Sequence, residues 1–208
     1  MQRAQRGRDN AALNLAIALG NALKRPVLAT FGLTADYPGA QRRHYRFLLE
    51  GLRDAARDLA RRGVPLVVRL GRPDTVVLKL AAESRPAAVI GDENPLRVPQ
   101  AWRDRVAEGL RVPFRLVDAD VVVPSSHFPR EEYAARTIRP KIHRLWDDYL
   151  RPIPNPSAHV AWPEDSVPRG ESIADDTLLD RLKVGGVGPV PGYVGGSTEA
   201  SRRLDRFL

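Results

Sequence analysis

Short apolar runs alternate along this chain with segments of helical periodicity, and this alternation constrains the fold more than any other feature. The run PVLATFGL has the β-branched and aromatic content of a buried strand. Strands of this kind are predicted at 26–33, 64–70, 87–91 and 112–117. Helices are predicted over 9–23, 41–62 and 74–84, and from Pro99 onward. The pattern predicts an α/β fold of Rossmann-like type, with a mainly parallel sheet and helices on both faces.

The helix predicted over 41–62 is strongly amphipathic. Its apolar residues recur at spacings of three and four, and its arginines fall on another side of the helix. Neighbouring acids predict pairs within the helix, such as Arg46 with Glu50 and Asp58 with Arg61. We interpret this side as a solvent-exposed face with internal ion pairs, in preference to a dedicated DNA surface.

Ligands of parallel α/β sheets bind beyond the carboxyl ends of the strands. Loops are expected at three such ends, over 32–39, 71–73 and 92–97, and Asp118 and Asp120 follow the last strand. The paired acids of these loops could bind a ligand or could simply belong to turns and helix caps. The sequence leaves both readings open.

Residues 131–150 interleave basic and aromatic side chains around a proline. Because proline lacks a backbone donor and disfavours helix at the residue before it, we predict two helical pieces, 129–137 and 140–150, with a bend at Pro140. Such a bend would aim Arg136, Arg139 and Lys141 at one anion or acidic surface. A solvated helix is the alternative, with salt pairs to Glu131, Glu132, Asp147 and Asp148.

The composition changes after residue 150. Five prolines between 151 and 170 predict an extended segment, and 171–183 could form one short helix. A glycine-rich loop follows, and a final helix is predicted from Ser197, which we expect to act as its cap. We expect this last helix to end before it packs against anything.

Composition and missing motifs exclude several classes of protein. The 208 residues carry a formal net charge of +8, which raises the expectation of a polyanionic partner, and no cysteine, which excludes disulfides and thiol catalysis. With no export signal and no run of eighteen apolar residues, we expect a cytoplasmic protein with no membrane span. Phosphate-loop, dinucleotide, zinc-protease and serine-hydrolase motifs are missing, and the four histidines lack metal-ligand spacing. No metal site and no catalytic residue are predicted.

Four stretches of the sequence nevertheless resemble one known family. They are MQRAQRGRDNAAL at the start, FGLTADYPGAQRRHYRFLLEGL at 31–52, GDENPLRVPQAWRD at 91–104 and EYAARTIRPKIHRL at 132–145. In this order and spacing they resemble the amino-terminal domain of class II DNA photolyases, and the last stretch is the most specific. The ending, PGYVGGSTEASRRLDRFL, resembles the entry into the second, helical domain of that family.

The resemblance implies the light-dependent splitting of cyclobutane pyrimidine dimers in UV-damaged DNA. In the family, FAD and the dimer bind in the helical domain, and the α/β domain can house an antenna chromophore, often a deazaflavin. The resemblance therefore implies an antenna domain at 1–150, an interdomain linker at 151–196 and the start of the FAD domain at 197–208. Family members also have a central strand before the MQRAQR motif, so we expect the sheet to lack its first strand.

The loops at strand ends, taken together with the resemblance, direct attention to particular residues. Candidates for the antenna pocket are Phe31, Gly32, Asp92, Glu93 and Arg97. Candidates for contact with the helical domain are Arg136, Arg139 and Lys141. We expect a monomer. The alternatives to part of a photolyase are a non-catalytic chromophore- or nucleotide-binding module and a basic domain that binds nucleic acid non-specifically.

Overall fold

The computed structural model describes residues 1–208, apart from the side chain of Glu164, and its first 117 residues follow the predicted alternation. The helices of this part are α1 (Ala11–Ala22), α2 (Arg42–Arg61), α3 (Pro73–Ser84) and α4 (Arg97–Gly109). The strands are β1 (Ala29–Leu33), β2 (Leu66–Leu70), β3 (Val89–Asp92) and β4 (Phe114–Val117). The prediction of an α/β fold with parallel strands is confirmed.

Local sequence signals set where these helices begin and end. Asn10 caps α1, since its side-chain oxygen accepts a hydrogen bond from the Leu13 amide at 3.0 Å. Pro73 occupies the first turn of α3, where its missing N–H costs nothing. Gly63 takes a φ of +72° immediately after α2, a conformation that favours glycine.

The four strands form two separate parallel pairs. β1 pairs with β2, with Phe31 opposite Val68, and β3 pairs with β4, with Ile90 opposite Arg115. Among the described residues no ladder joins β1 to β3. We call the two units the first strand pair (β1 and β2) and the second strand pair (β3 and β4). A cavity of about 240 Å³ lies between them, lined in part by α1 and α3.

The largest apolar cluster covers the first strand pair. Leu33 and Val68 of the strands pack with Leu49 and Leu52 of α2. Leu178, Leu179 and Leu182 complete the cluster from the far end of the sequence. A second cluster joins α1 to the beginning of β1 through Ile17, Val27 and other residues. The core therefore depends on a segment that lies more than a hundred residues beyond β2.

The chain after β4 is mostly irregular, with short helices. They are a 3₁₀ turn at Ser125–His127, α5 (Ala135–His143), α6 (Trp146–Tyr149), a 3₁₀ turn at Glu164–Ser166, α7 (Thr177–Leu182) and α8 (Ser197–Phe207). The helix predicted within 171–183 is thus present as α7. Gly196, in a positive-φ conformation, is the cap of α8, so the prediction that Ser197 caps it is wrong.

The proline-rich segment after residue 150 is extended, as predicted, and is fastened along its length. The Ala158 amide donates to the Arg62 carbonyl at 2.8 Å, and the Trp162 indole donates to the Val27 carbonyl at 2.9 Å. Farther along, the Glu171 amide donates to the Val68 carbonyl at 2.7 Å. The segment therefore crosses the amino end of β1 and reaches β2 before α7 enters the core.

The predicted bend at Pro140 is wrong, because α5 continues through that residue. The break falls later, at Arg144 and Leu145. Pro140 and Arg136 are both exposed, and the missing N–H of Pro140 leaves only the carbonyl of Arg136, one turn earlier, without its helical donor. An exposed short helix therefore tolerates this proline, although the local preference is against it.

No helix among the described residues combines the length and the apolar character needed to cross a membrane.

Candidate functional site

A cavity of about 230 Å³ lies beyond the carboxyl end of β1, where parallel sheets place their ligands. The amino-terminal segment, β1, the first turns of α2 and α3, and α4 enclose it. Its lining residues are Met1, Gln2, Gln5, Phe31, Gly32, Leu33, Thr34, Tyr37, Ala40, His44, Tyr45, Leu48, Pro73, Asn94, Pro99 and Trp102. We call it the aromatic cavity, because four of these residues carry aromatic rings other than imidazole.

The packing of α3 on β1 shapes the floor of the aromatic cavity. A Cβ added at Gly32 would meet the Pro73 Cα at 2.6 Å, so only glycine lets the start of α3 approach the strand this closely. Thr34 and Asn94 are both buried at the strand ends. The Asn94 side-chain oxygen accepts from the Leu96 amide at 3.1 Å, which fixes the loop that leads into α4.

The aromatic rings form flat apolar walls. Tyr37 and Trp102 lie with ring centroids 6.2 Å apart and planes inclined by 56°, a favourable tilted pair. Phe31 and Trp102 are buried. Such walls suit the face of a planar ring system.

Tyr45 is the polar feature that most strongly suggests a ligand. Its side chain is 3 % exposed, and its hydroxyl has no hydrogen-bond partner among the described residues. Burial raises the pKa of the Tyr45 hydroxyl above its ordinary value and outweighs the nearby backbone amide of Tyr37, which lowers it, while the Asp36 carboxylate adds to the rise. The hydroxyl therefore stays protonated near neutral pH and is available as a donor. A buried polar group without a partner is costly, so a ligand that accepts from it would gain affinity.

His44 stands at the rim of the aromatic cavity, in the first turn of α2. Its Nδ1 accepts a hydrogen bond from the Gln41 amide at 2.9 Å. In the neutral ring the proton must then lie on Nε2. The imidazole is held by the helix start and offers Nε2 as a donor.

Of the five residues predicted for the antenna pocket, the structure brings Phe31 and Gly32 to the aromatic cavity. Asp92 lies behind it, where one carboxylate oxygen accepts from the amides of three consecutive residues, Gln2, Arg3 and Ala4, at 2.7, 3.0 and 3.2 Å. Asp92 therefore anchors the amino-terminal segment that forms one wall.

The other two predicted residues do not line the aromatic cavity. Glu93 extends the second strand pair, with its amide donating to the Val117 carbonyl at 2.9 Å and its carboxylate 3.6 Å from Arg103. Arg97 is exposed at the first residue of α4, in a stretch that the sequence predicted to be loop.

Sequence reasoning missed Tyr37, Tyr45 and Trp102 as residues of the site. Tyr45 and Trp102 lie on the apolar stripes of α2 and α4, where a buried aromatic residue is normally interpreted as part of the core. The available signal was position, since Tyr37 and Tyr45 follow β1 within twelve residues of its end.

The basic cluster predicted on residues 131–150 does not converge on one point. On α5, Arg136 and Arg139 are one turn apart on the same side, but Lys141 lies about 160° around the helix from Arg139. Lys141 forms an ion pair with Glu132. Arg136 and Arg139 are exposed, and no ion pair involves either of them within the described part of the chain.

The arginine-rich side of α2 is less open to solvent than predicted. The expected pairs of Arg46 with Glu50 and Arg61 with Asp58 are present. However, Arg53 donates to the Asp175 carbonyl and the Asp176 carboxylate at 2.6 and 2.9 Å. The segment before α7 therefore covers part of this face.

Two acids of α2 hold the start of α8. The Glu50 carboxylate accepts from the Gly195 amide at 2.8 Å, and the buried Asp54 accepts from the Thr198 amide at 2.9 Å. These contacts place negative charge at the amino end of a helix, where its dipole favours it. The prediction that the last helix packs against nothing is wrong for its first turn, although Leu204 and Phe207 at its far end remain exposed.

Comparison with known proteins identifies the family. The family model for DNA photolyase matches residues 1–157. A deoxyribodipyrimidine photo-lyase from Methanothermobacter thermautotrophicus is 42 % identical over 154 residues, covering 74 % of this chain and 34 % of the relative. The chain thus spans about a third of the length of that curated relative.

Solved structures agree in fold. A bacterial class III photolyase from Agrobacterium tumefaciens superposes with a TM-score of 0.70 at 20 % identity, covering 100 % of this chain and 43 % of the other. An archaeal photolyase from Sulfolobus tokodaii, described with two FAD molecules, gives a TM-score of 0.64 at 18 % identity over 98 % of this chain and 46 % of the other. From the match of the family model to residues 1–157 and the 42 % identity to the Methanothermobacter thermautotrophicus relative, the chain belongs to the DNA photolyase family.

Proposed function

We propose that this chain is the amino-terminal, light-gathering part of a class II deoxyribodipyrimidine photolyase, which splits cyclobutane pyrimidine dimers in UV-damaged DNA. Family membership and the four class II motifs support the repair activity. The aromatic cavity, with its orphaned Tyr45 hydroxyl, is the single observation that supports the light-gathering role. In this proposal FAD and the damaged DNA bind the helical domain that follows α8 in the full-length enzyme.

The residues of the aromatic cavity fit a deazaflavin-type antenna. At about 230 Å³ the cavity is below the usual range of roughly 300–1,000 Å³ for small-molecule sites, so it suits one planar ring system and not a whole dinucleotide. Its walls are flat, and its few polar groups can be met by the carbonyl oxygens and nitrogens of such a ring. When bound, a deazaflavin absorbs near-ultraviolet and blue light and supplies excitation energy to FAD.

The residues of this chain would hold and shield that ring. Tyr37 and Trp102 would contact its faces and exclude water. The Tyr45 hydroxyl would donate a hydrogen bond to a ring oxygen or nitrogen, which removes the cost of leaving this buried group unpaired. Asp92 would act indirectly by holding the amino-terminal segment against the site.

We further propose that Arg136 and Arg139 contact the helical domain of the full-length enzyme. Both are exposed, they share one side of α5, and their guanidinium groups suit a carboxylate-bearing surface. Lys141 already has Glu132 as its partner and would contribute less.

A titration of the purified chain with a deazaflavin tests the antenna site. We expect saturable binding seen as a shift and quenching of pigment fluorescence, weakened about tenfold by Tyr45→Phe because one buried hydrogen bond of about 1.4 kcal/mol is lost. Tyr133→Phe is the matched control, since Tyr133 is 90 % exposed and far from the cavity residues in the sequence. Binding that does not saturate, or that responds equally to both substitutions, would refute the assignment.

A further inference from the structure

Four basic side chains lie at the amino ends of the strands, on the edge of the fold opposite the aromatic cavity. Lys24 and Arg25 follow α1, Arg85 follows α3 and Arg111 follows α4, so each precedes a strand. Arg25 and Arg85 both line the cavity between the two strand pairs. Arg111 precedes β4, which starts in register with β3. We call these four residues the basic rim.

The positive charges of the basic rim are not neutralised. All four side chains are exposed, and in the described part of the chain none of them forms an ion pair or donates a hydrogen bond. α1 carries no acidic residue. Glu83, near the end of α3, is already paired with Arg69 at 2.6 Å, which leaves Glu108 as an exposed acid near the end of α4. The rim therefore keeps an excess of positive charge.

The helix dipole does not account for the basic rim. A cation in the last turn of a helix is stabilised by the partial negative charge of that end, but the effect falls off beyond the turn. None of α1, α3 and α4 has a basic residue in its last turn. Among the described residues, the rim side chains also donate to no helix carbonyl. Their positions are therefore not explained by capping.

Two residues of the basic rim have a strained backbone. Lys24 has a φ of +54° and Arg85 a φ of +46°, in the left-handed region that favours glycine. Gly63 occupies the corresponding place after α2, with a φ of +72°. A cation thus stands at two helix ends where glycine would relieve strain. Backbone strain of this kind is concentrated at functional sites.

We propose that the basic rim binds the phosphate backbone of double-stranded DNA without reading its sequence. The rim is extended, because β1 and β3 are not paired neighbours and β4 lies one further strand away, which separates its ends by more than roughly 10 Å. Positive charges spread over such a length suit a polyanion better than a single phosphate ion. DNA is bound by charge neutralisation alone, whereas an acidic protein surface also needs buried apolar anchors.

This contact goes beyond the proposed function, in which damaged DNA binds the helical domain. It rests on neither the repair activity nor the antenna site. The test therefore uses the 208-residue chain, a short undamaged DNA duplex with a fluorescent label, and no pigment. Anisotropy titrations between about 50 and 200 mM salt give the association constant, and four phosphate contacts predict that its logarithm falls with the logarithm of the salt concentration at a slope of about −3.6.

Two fourfold variants remove the same charge from different places. The first changes the rim, as Lys24→Gln, Arg25→Gln, Arg85→Gln and Arg111→Gln. It should bind at least about tenfold more weakly at the lowest salt concentration, with a shallower slope. The control changes four exposed arginines outside the rim, as Arg8→Gln, Arg130→Gln, Arg169→Gln and Arg206→Gln. It should lose less than about threefold in affinity, through the long-range field alone.

A double variant separates a binding role from a structural one. Lys24→Gly with Arg85→Gly removes two charges and relieves the strained backbone. We expect its urea midpoint to rise and its salt slope to become shallower by about 1.8, because two phosphate contacts are lost. A lower midpoint with unchanged DNA binding would assign both residues to helix capping and overturn the proposal.

Three further results would overturn the proposal. Equal weakening in the two fourfold variants would show a general attraction between the basic chain and DNA. A flat salt dependence would show that no phosphates are neutralised. If polyglutamate displaced the duplex from the native chain as effectively as unlabelled duplex does, the rim would fit an acidic protein surface instead.

Discussion

The two strand pairs share one topology and differ in how well they are covered. Leu33 and Val68 of the first pair are each 1 % exposed, whereas Leu116 of the second pair is 40 % exposed. α2 packs on the first pair, and α7 adds three buried leucines from far along the chain. None of the four residues of β4 is buried. Equal strand pairing therefore does not give equal burial, which depends on what the rest of the chain brings to each face.

This comparison predicts that apolar truncation is costly in the first strand pair and mild in the second. Leu49→Ala on α2 should lower the free energy of unfolding by about 3 kcal/mol, because a fully buried leucine leaves a cavity. Leu116→Ala should cost roughly 1 kcal/mol or less, because less area is lost from a half-open site. Urea unfolding followed by circular dichroism measures both. Equal losses would mean that the second pair is better covered than its exposure indicates.

A smaller effect is expected where the terminal segment is held to α2. Asp54→Asn should cost about 1–2 kcal/mol and loosen the first turn of α8, because the buried carboxylate accepts from both Thr198 and Arg57. Asp58→Asn is the matched control, since Asp58 pairs only with Arg61 in the next turn. Exchange of the Thr198 amide should accelerate in the first variant and stay unchanged in the second. The same rate in both would show that α8 is held by something other than Asp54.

A charged contact between α3 and α4 predicts that the stability of the chain depends on pH. Asp74 lies in the first turn of α3 and forms ion pairs with Arg72 and with Arg105 of α4. Burial by itself would raise the pKa of Asp74, but hydrogen bonds from Arg105 and Arg72 outweigh it and leave the pKa below its ordinary value of 3.8.

The Asp74 carboxylate is therefore protonated more readily in the unfolded chain than in the folded one. The stabilisation that Asp74 provides is present above about pH 4 and is lost as the pH falls through the lower pKa of the folded state. Asp74→Asn should remove that part of the acid sensitivity and cost about 1 kcal/mol at neutral pH. Urea midpoints between pH 2 and pH 7 test this. An unchanged pH profile in the variant would assign the acid sensitivity to other groups.

The smallest effect is expected at α5, which lies outside both strand pairs. Arg139→Ala should change the stability of this chain by less than about 0.5 kcal/mol, because the side chain is exposed and unpaired in the described structure. In the full-length enzyme the same substitution should weaken docking of the helical domain more than it alters folding. An equal loss of stability in this chain alone would indicate a purely structural role.

Sequence patterns predicted the helices and strands well where interactions between residues close in sequence determine the structure. The strands and the first four helices follow from the periodicity of their apolar residues. Prediction failed where a remote partner or solvent exposure decided the outcome. Pro140 lies inside α5 at an exposed position, where the loss of one helical hydrogen bond costs less than in a core. Gly196 replaces Ser197 as the cap of α8, in a turn that the carboxylates of α2 hold.

The candidate site shows the same division. Phe31 and Gly32 were predicted as site residues from their place at a strand end. Tyr45 and Trp102 also line the cavity but were not predicted, because they lie in the apolar stripes of helices. The class II assignment and the roles of Arg136, Arg139 and Lys141 stay predictions. By itself the sequence determined the order of elements, the parallel α/β class and the family, because these depend on residue type and spacing. Only the tertiary structure decided which buried side chains face a cavity and which edges stay unpaired, because those outcomes depend on contacts between residues far apart in the chain.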